Sequence, residues 1–281
     1  MSRNHEILKL FPLAALSIAL FIGQNAAAQD AGRGLTGVVG LGVGSGPEFS
    51  GSDETSTNVF PIFDLTWRNR YFLNQRGLGI YALRNFGAND LSVGVAIGYD
   101  FNERLAEDDA RLSGLTDVEA GALLTAFVEY DAGIADLEFE VSHGLSSDGH
   151  EGTRSTAAAE FSFAVGGGVR LSAKPFLTWA DGSYTQAFYG VSLAEAATSS
   201  FSAFDAGSGF ERIGIELQAS YDLTARTGVF LGVEHSRLLG DAQDSAISLT
   251  TRRPKSRRAW FFVFDALGQR LRVGSVFTPA P

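Results

Sequence analysis

The segment Leu91–Phe101 has the pattern that most restricts how this chain folds. Its odd-numbered residues are all large and apolar, whereas its even-numbered residues are Ser, Gly, Ala, Gly and Asp. Successive side chains of a β-strand point to opposite faces, so the segment predicts a strand with one wholly apolar face. Its length, eleven residues, is close to what a tilted strand needs to cross a bilayer.

Alternation of the same kind recurs along the chain. Segments of about ten alternating residues separated by turn residues are typical of membrane β-barrels, in which one face meets lipid and the other lines the lumen. The sequence therefore predicts an all-β fold, an antiparallel transmembrane β-barrel of about 12 strands, within a range of about 10 to 14. The candidate strands, of which 184–193 is less polarised, are 34–44, 59–67, 71–74, 77–84, 91–101, 117–131, 136–143, 157–165, 169–177, 184–193, 213–223, 229–234, 259–267 and 269–277.

A soluble β-sandwich also has alternating strands, and two further patterns favour the membrane barrel over it. Charges on the polar faces suit a wet lumen; they are Glu138, Glu140, Arg170, Lys174 and Glu216. Aromatic residues gather at the predicted strand ends, as they do in the girdles at membrane interfaces. These residues are Trp67, Tyr99, Phe101, Tyr130, Trp179 and Tyr221.

Residues 1–28 have the composition of a secretory signal peptide. Arg3 and Lys9 precede an apolar run from Leu10 to Ile22, and an Ala-Ala-Ala sequence at 26–28 offers a cleavage site. The alternative, a membrane anchor helix, needs a longer apolar run. We therefore expect residues 29–281 to form the exported barrel, placed in the outer membrane after the signal peptide is cleaved.

Composition excludes several classes of function. The chain has no cysteine, which rules out disulfides, thiolate catalysis, cysteine-ligated metals and a lipid-modified N-terminal cysteine. The net charge of −10 argues against a nucleic-acid partner, because a phosphate-binding surface needs clustered Lys and Arg.

No catalytic, cofactor-binding or metal-binding residue is predicted. His143 and His150 flank a loop that also carries Asp148 and Glu151, but their spacing matches no common metal motif, and solvated loop histidines are expected. The pairs Ser142–His143 and Ser236–His235 also cannot act as nucleophile and base, because neighbouring residues of a strand point to opposite faces. The glycine run at 40–46 lacks the spacing and the following helix of a dinucleotide loop.

The run Arg252–Arg258 is basic in an otherwise acidic protein. We expect it to be a solvated loop. A more specific alternative is contact with lipopolysaccharide phosphates or an acidic partner.

Several turn and loop segments share their order and motifs with one known family. They are Gly46–Asp53 followed by Phe60-Pro61 and Gly77–Gly79, then Leu112–Asp117, then Asp136-Leu137 with Gly149–Gly152, then Ala180–Ser192 and Arg237–Ala246. In this order the chain resembles the MipA/OmpV family, the MltA-interacting outer-membrane proteins. The resemblance covers residues 37 to about 247 and fades after Ser245, where Ala246 replaces an expected proline.

This resemblance implies an outer-membrane barrel without known enzymatic activity and without cofactors. It further implies a scaffold whose partners are a lytic transglycosylase and a murein synthase, with outer-membrane lipid and lipopolysaccharide around the barrel. A small-solute channel and a surface adhesin or antigen are the alternatives. The end of the chain, residues 252–281, is atypical because it finishes in Pro-Ala-Pro. Either Phe277 is the terminal aromatic, or this segment has diverged and barrel closure is in doubt.

Overall fold

The computed structural model describes residues 34–47, 49–50, 52, 54–248 and 256–267. The expected signal peptide, residues 1–28, lies outside the described residues, as do the candidate strand 269–277, Phe277 and most of the basic run. Among the described residues, no helix is long and apolar enough to cross a membrane.

Twelve antiparallel strands within the described residues close into a single barrel in which each strand pairs with its neighbours in sequence and β12 returns to β1. The strands are β1 (Leu35–Pro47), β2 (Thr55–Trp67), β3 (Tyr71–Asn74), β4 (Gly77–Phe86), β5 (Leu91–Asp100), β6 (Gly121–Asp131), β7 (Asp136–Gly144), β8 (Thr153–Gly166), β9 (Val169–Ala180), β10 (Gly209–Asp222), β11 (Thr227–Leu238) and β12 (Ser256–Leu267). The predicted fold class and strand number are confirmed.

The alternation of side chains explains why these segments form a barrel. In β5, Val95 and Ile97 point outward and are exposed, whereas Ser92 and Ala96 point inward and are buried. The same division holds around the wall, so the outside is an apolar band and the inside is polar or tightly packed. Aromatic residues are exposed at both edges of this band, as predicted; they are Trp67, Tyr130 and Tyr221 at one end and Tyr99, Phe101 and Trp179 at the other.

The two ends of the barrel differ in their connections. One end has only short turns, at 68–70, 87–90, 132–135, 167–168 and 223–226. Gly166, Gly167 and Gly168 all have positive φ, which makes the tight β8–β9 turn possible. The other end has long loops, of which 101–120 and 181–208 are the largest. In barrels of the outer-membrane type, short turns face the periplasm and long loops face the outside.

Two predictions about single segments are wrong. The candidate strand 184–193 is a helix, α1 (Gly182–Tyr189), followed by the short helix α2 (Leu193–Thr198). The basic run is not entirely loop, since β12 begins at Ser256.

Closure of the barrel depends on the atypical C-terminal region. β12 pairs with β11 on one side and with β1 on the other, where the register runs from Ser45↔Ala259 to Gly37↔Leu267. The closing strand therefore lies within residues 252–281, and Gly40 lets the backbones of β1 and β12 approach each other closely.

Candidate functional site

The long loops fold over one end of the barrel as a packed cap, which we define as residues 101–120, 145–152, 181–208 and 239–248. Helix α1 is its centre. It begins after Asp181, whose carboxylate accepts a hydrogen bond from the Tyr184 N–H at 2.9 Å, an ordinary N-cap. Tyr184, Phe188 and Tyr189 are completely buried. The spacing of four residues between Tyr184 and Phe188 puts both rings on one face of the helix.

Helix α2 ties two loops of the cap together. Ser192 and Glu195 form a capping box at its start. The other oxygen of Glu195 accepts a hydrogen bond from the Thr116 N–H at 2.9 Å, and Thr198 donates to the Gly114 carbonyl. Burial raises the pKa of Glu195, but the hydrogen bonds from Thr116 and Ser192 outweigh it and lower this pKa to about 2.

The segments that carry the family resemblance meet in this cap. One apolar cluster takes a residue or two from each of four segments: Phe49, Leu112, Leu115, Val191 and Ile247. The Ser245 hydroxyl donates to the Tyr189 carbonyl, so the segment that follows β11 is fixed to α1. A methyl group on Gly152 would lie 2.3 Å from the Tyr184 nitrogen, so this glycine allows the 145–152 loop to lie against α1.

His150 is buried in the cap, so the expectation that it is solvated is wrong. Its Nδ1 accepts a hydrogen bond from the Gly152 N–H at 3.1 Å, which leaves the proton on Nε2, 3.1 Å from the Asp100 carboxylate. Its ring contacts the Tyr184 ring, with 4.9 Å between centroids. Because the lone pair on Nδ1 is occupied by a backbone N–H, this imidazole has no free base to activate a nucleophile.

The cap is hydrogen-bonded to the barrel rim. The Tyr189 hydroxyl donates to Glu211 at 2.8 Å, and Arg154 of β8 donates to the other oxygen of the same carboxylate. Burial raises the pKa of Tyr184 and Tyr189 above the ordinary value, which keeps both hydroxyls protonated. Arg104 donates to the carbonyls of Thr116 and Ala187. These contacts fix the cap to the rim of the barrel.

Below the cap, one side of the lumen is charged. Arg76, at the tip of the β3–β4 hairpin, donates to Glu129 and Glu140 at 2.7 Å each. Lys174 donates to Glu138 at 2.7 Å. Two further pairs, Arg212–Glu234 and Arg170–Asp222, continue the network along the wall.

The opposite side of the lumen is apolar. Val38, Ile62, Phe230, Trp260 and Phe264 are buried together there, on β1, β2, β11 and β12. The lumen is therefore lined by a charged side and an apolar side.

The serine–histidine pairs considered from the sequence are not brought together. Ser142 points inward and lies 3.3 Å from Thr125, whereas the outward His143 lies 3.0 Å from the Thr153 hydroxyl. Ser236 points inward and donates to Glu234, with His235 on the other face. In the part of the chain that the structure describes, no group of three or more His, Cys, Asp or Glu residues is arranged to hold a metal ion.

Comparison with known proteins identifies the family. The family model for the MltA-interacting protein MipA matches residues 39–263. The chain belongs to the MipA family. The match ends inside β12, so the resemblance does not stop at Ser245 as the sequence motifs suggested. No curated protein matches the chain.

Several solved outer-membrane proteins are similar to this MipA-family barrel, with low sequence identity and low TM-scores. OmpT of Vibrio cholerae has 8% identity and a TM-score of 0.38, over 86% of this chain and 100% of that chain. OprB of Pseudomonas putida has 11% identity and a TM-score of 0.35, over 83% and 94%. Ail of Yersinia pestis has 9% identity and a TM-score of 0.22, over 83% and 98%. Similarity of this degree carries no argument about function.

Proposed function

We propose that this chain is a non-enzymatic outer-membrane scaffold that binds a lytic transglycosylase and a murein synthase at its periplasmic end. The observation that carries the proposal is membership of a family described by its interaction with MltA. The packed cap over the long-loop end supports a binding role over transport. The position of His150, with its Nδ1 occupied, supports a role without catalysis.

The short-turn end of the barrel is the surface on which such partners meet the chain. A stable interface needs roughly 800 Å² on each partner, which for this end means the turns together with the rim of the barrel. Ile134, in the turn between β6 and β7, is 84% exposed and is an apolar anchor of the kind that interfaces bury. Arg68 and Arg70 in the turn after β2 add positive charge to the same end of the barrel.

The test is a pull-down with purified protein in lipid vesicles and a soluble lytic transglycosylase. Ile134→Asp is expected to weaken binding at least about tenfold, the usual effect of charging an interface anchor. The matched control is Leu193→Asp, because Leu193 is also 84% exposed but lies in the cap at the opposite end. This control is expected to bind like the unaltered protein.

Two results would contradict the proposal. One is absence of transglycosylase binding to the unaltered, correctly inserted protein. The other is loss of binding in Leu193→Asp with Ile134→Asp unaffected, which would assign the interaction to the outer surface. Heat-modifiable migration on gels shows that each variant is folded before binding is measured.

A further inference from the structure

The outer face of the barrel wall carries very few charged groups. In the strands whose side chains the structure describes, every Asp, Glu and Lys lies on the lumen side, and so does every Arg except Arg237. The outward residues there that can carry a positive charge are His143, His235 and Arg237, and all three lie at the long-loop end of their strands. A charge that faces lipid is costly at the bilayer midplane and tolerated near the interfaces, so these residues mark the headgroup region of the outer leaflet.

His235 and Arg237 form a basic pair on the outer face of β11. They are two residues apart on one strand, so their side chains leave the wall in the same direction, about 7 Å apart. Arg237 is exposed and His235 is half-buried. β12 begins beside this pair, and Arg257 lies opposite His235 in the β11–β12 register. The register therefore brings part of the basic run to the same height of the wall.

The basic pair stands at the boundary between hydrocarbon and headgroups. Ile215 and Ile213 lie opposite the pair on β10 and are exposed on the same outer face. Beyond them toward the loops, Phe210 pairs with Trp179, and both rings are exposed as in an interfacial aromatic girdle. A lipid at this position places its acyl chains on the isoleucines and its phosphate beside the basic pair.

Neither side chain of the basic pair is used inside the protein. In the part of the chain that the structure describes, Arg237 has no carboxylate partner and His235 has no side-chain hydrogen bond. The nearest carboxylate along the chain, Glu234, points into the lumen and accepts from Arg212 instead. The Nδ1 atom of His235 is buried, which leaves Nε2 as the ring nitrogen available to a ligand. The pair thus presents unused donors to the membrane.

We propose that His235 and Arg237 bind a phosphate group of a lipopolysaccharide molecule in the outer leaflet. The long-loop end of an outer-membrane barrel faces the outside, where lipopolysaccharide is the anionic lipid. The Arg237 guanidinium offers two parallel N–H donors to phosphate oxygens, and His235 adds a donor from the same face. The acyl chains of the same molecule lie along Ile213 and Ile215, so this lipid meets both the charge and the apolar surface of the site.

Native mass spectrometry of the folded protein in detergent tests the site with lipid A that carries both phosphates. The unaltered protein is expected to retain this lipid, and the double variant His235→Gln/Arg237→Gln is expected to bind it at least about tenfold more weakly. Arg237→Lys keeps the charge and is expected to retain most of the binding. A double variant that binds lipid A like the unaltered protein would overturn the proposal.

Two control variants test the position of the site. His143→Gln alters the other outward histidine, which lies four strands away at the same end and is already 3.0 Å from the Thr153 hydroxyl. Arg68→Gln removes an exposed arginine at the short-turn end. Both are expected to bind lipid A like the unaltered protein, and an equal loss in either would show that only general charge is being measured, against the proposal.

Three further ligands test the chemistry of the site. Lipid A without phosphates and phosphatidylglycerol are expected to bind the unaltered protein as weakly as lipid A binds the double variant. Inorganic phosphate at millimolar concentration is expected to leave bound lipid A in place, because it has no acyl chains. Equal binding of phosphate-free lipid A would overturn the phosphate contact. Equal binding of phosphatidylglycerol, or displacement by inorganic phosphate, would overturn the assignment to lipopolysaccharide. Heat-modifiable migration on gels shows that every variant is folded.

Discussion

Glu195 shows how one carboxylate holds the cap together. Its two oxygens accept from the N–H groups of Thr116 and Ser192, and its pKa in the folded protein, about 2, is below the ordinary value of 4.5. A lowered folded pKa means that its stabilisation is fully present above about pH 4.5 and is lost as the pH falls toward 2. We expect the protection of the Thr116 amide against hydrogen exchange to decline over that range.

The matched variants are Glu195→Gln and Glu119→Gln. Glu195→Gln loses the charge and one of the two acceptors, so it should reduce Thr116 protection at neutral pH by about 1 kcal/mol and remove the acid dependence. Glu119 is exposed in the same loop, and its variant should behave like the unaltered protein. A Thr116 amide with unchanged protection in Glu195→Gln would show that the contact does not stabilise the cap.

At the scale of elements, the sequence predicts strands far better than it predicts the cap. An alternating pattern such as Leu91–Phe101 identifies a strand directly, because a strand between lipid and lumen must alternate apolar and polar side chains with a period of two residues. The segment 184–193 contains Tyr184 and Phe188 four residues apart and Asp181 before them, which are helical signals, yet the alternation in the rest of the chain favours a strand there. The sequence does not indicate that His150 is buried, because the residues that contact it, Asp100 and Tyr184, are distant from it in sequence.

The charged pairs between strands give a prediction at this scale. Lys174 on β9 reaches Glu138 on β7 across β8, and their side chains are only 8% and 12% exposed. The Arg170–Asp222 pair joins β9 to β10, and its two side chains are 33% and 34% exposed. Removal of one partner costs more where the other is left buried, so Lys174→Met should destabilise the barrel by about 3 kcal/mol and Arg170→Met by less than about 1. Urea unfolding in vesicles, followed by the gel shift of the folded form, measures both. Equal losses would mean that water screens the lumen uniformly.

At the scale of the whole molecule, the packed cap over the long-loop end is the feature that bears most directly on whether this barrel conducts. The cap buries Tyr184, Phe188 and Tyr189 completely over the mouth. Below it, the lumen has a charged side and an apolar side. The same barrel thus has a capped long-loop end and a short-turn end available for binding.

Conductance through planar bilayers is the measurement that tests this closed state. We expect the unaltered protein to give no unitary currents of porin size. Ala180 and Gly209 are paired across β9 and β10, so residues 182–208 can be replaced by a short Gly/Ser linker without parting the strands. This deletion removes α1 and α2 and should produce small currents that prefer cations, because the three carboxylates Glu129, Glu138 and Glu140 outnumber the two cations, Arg76 and Lys174, that pair with them in the lumen. Large currents from the unaltered protein would contradict the closed cap and favour a channel, whereas a silent deletion variant would place the block in the lumen itself.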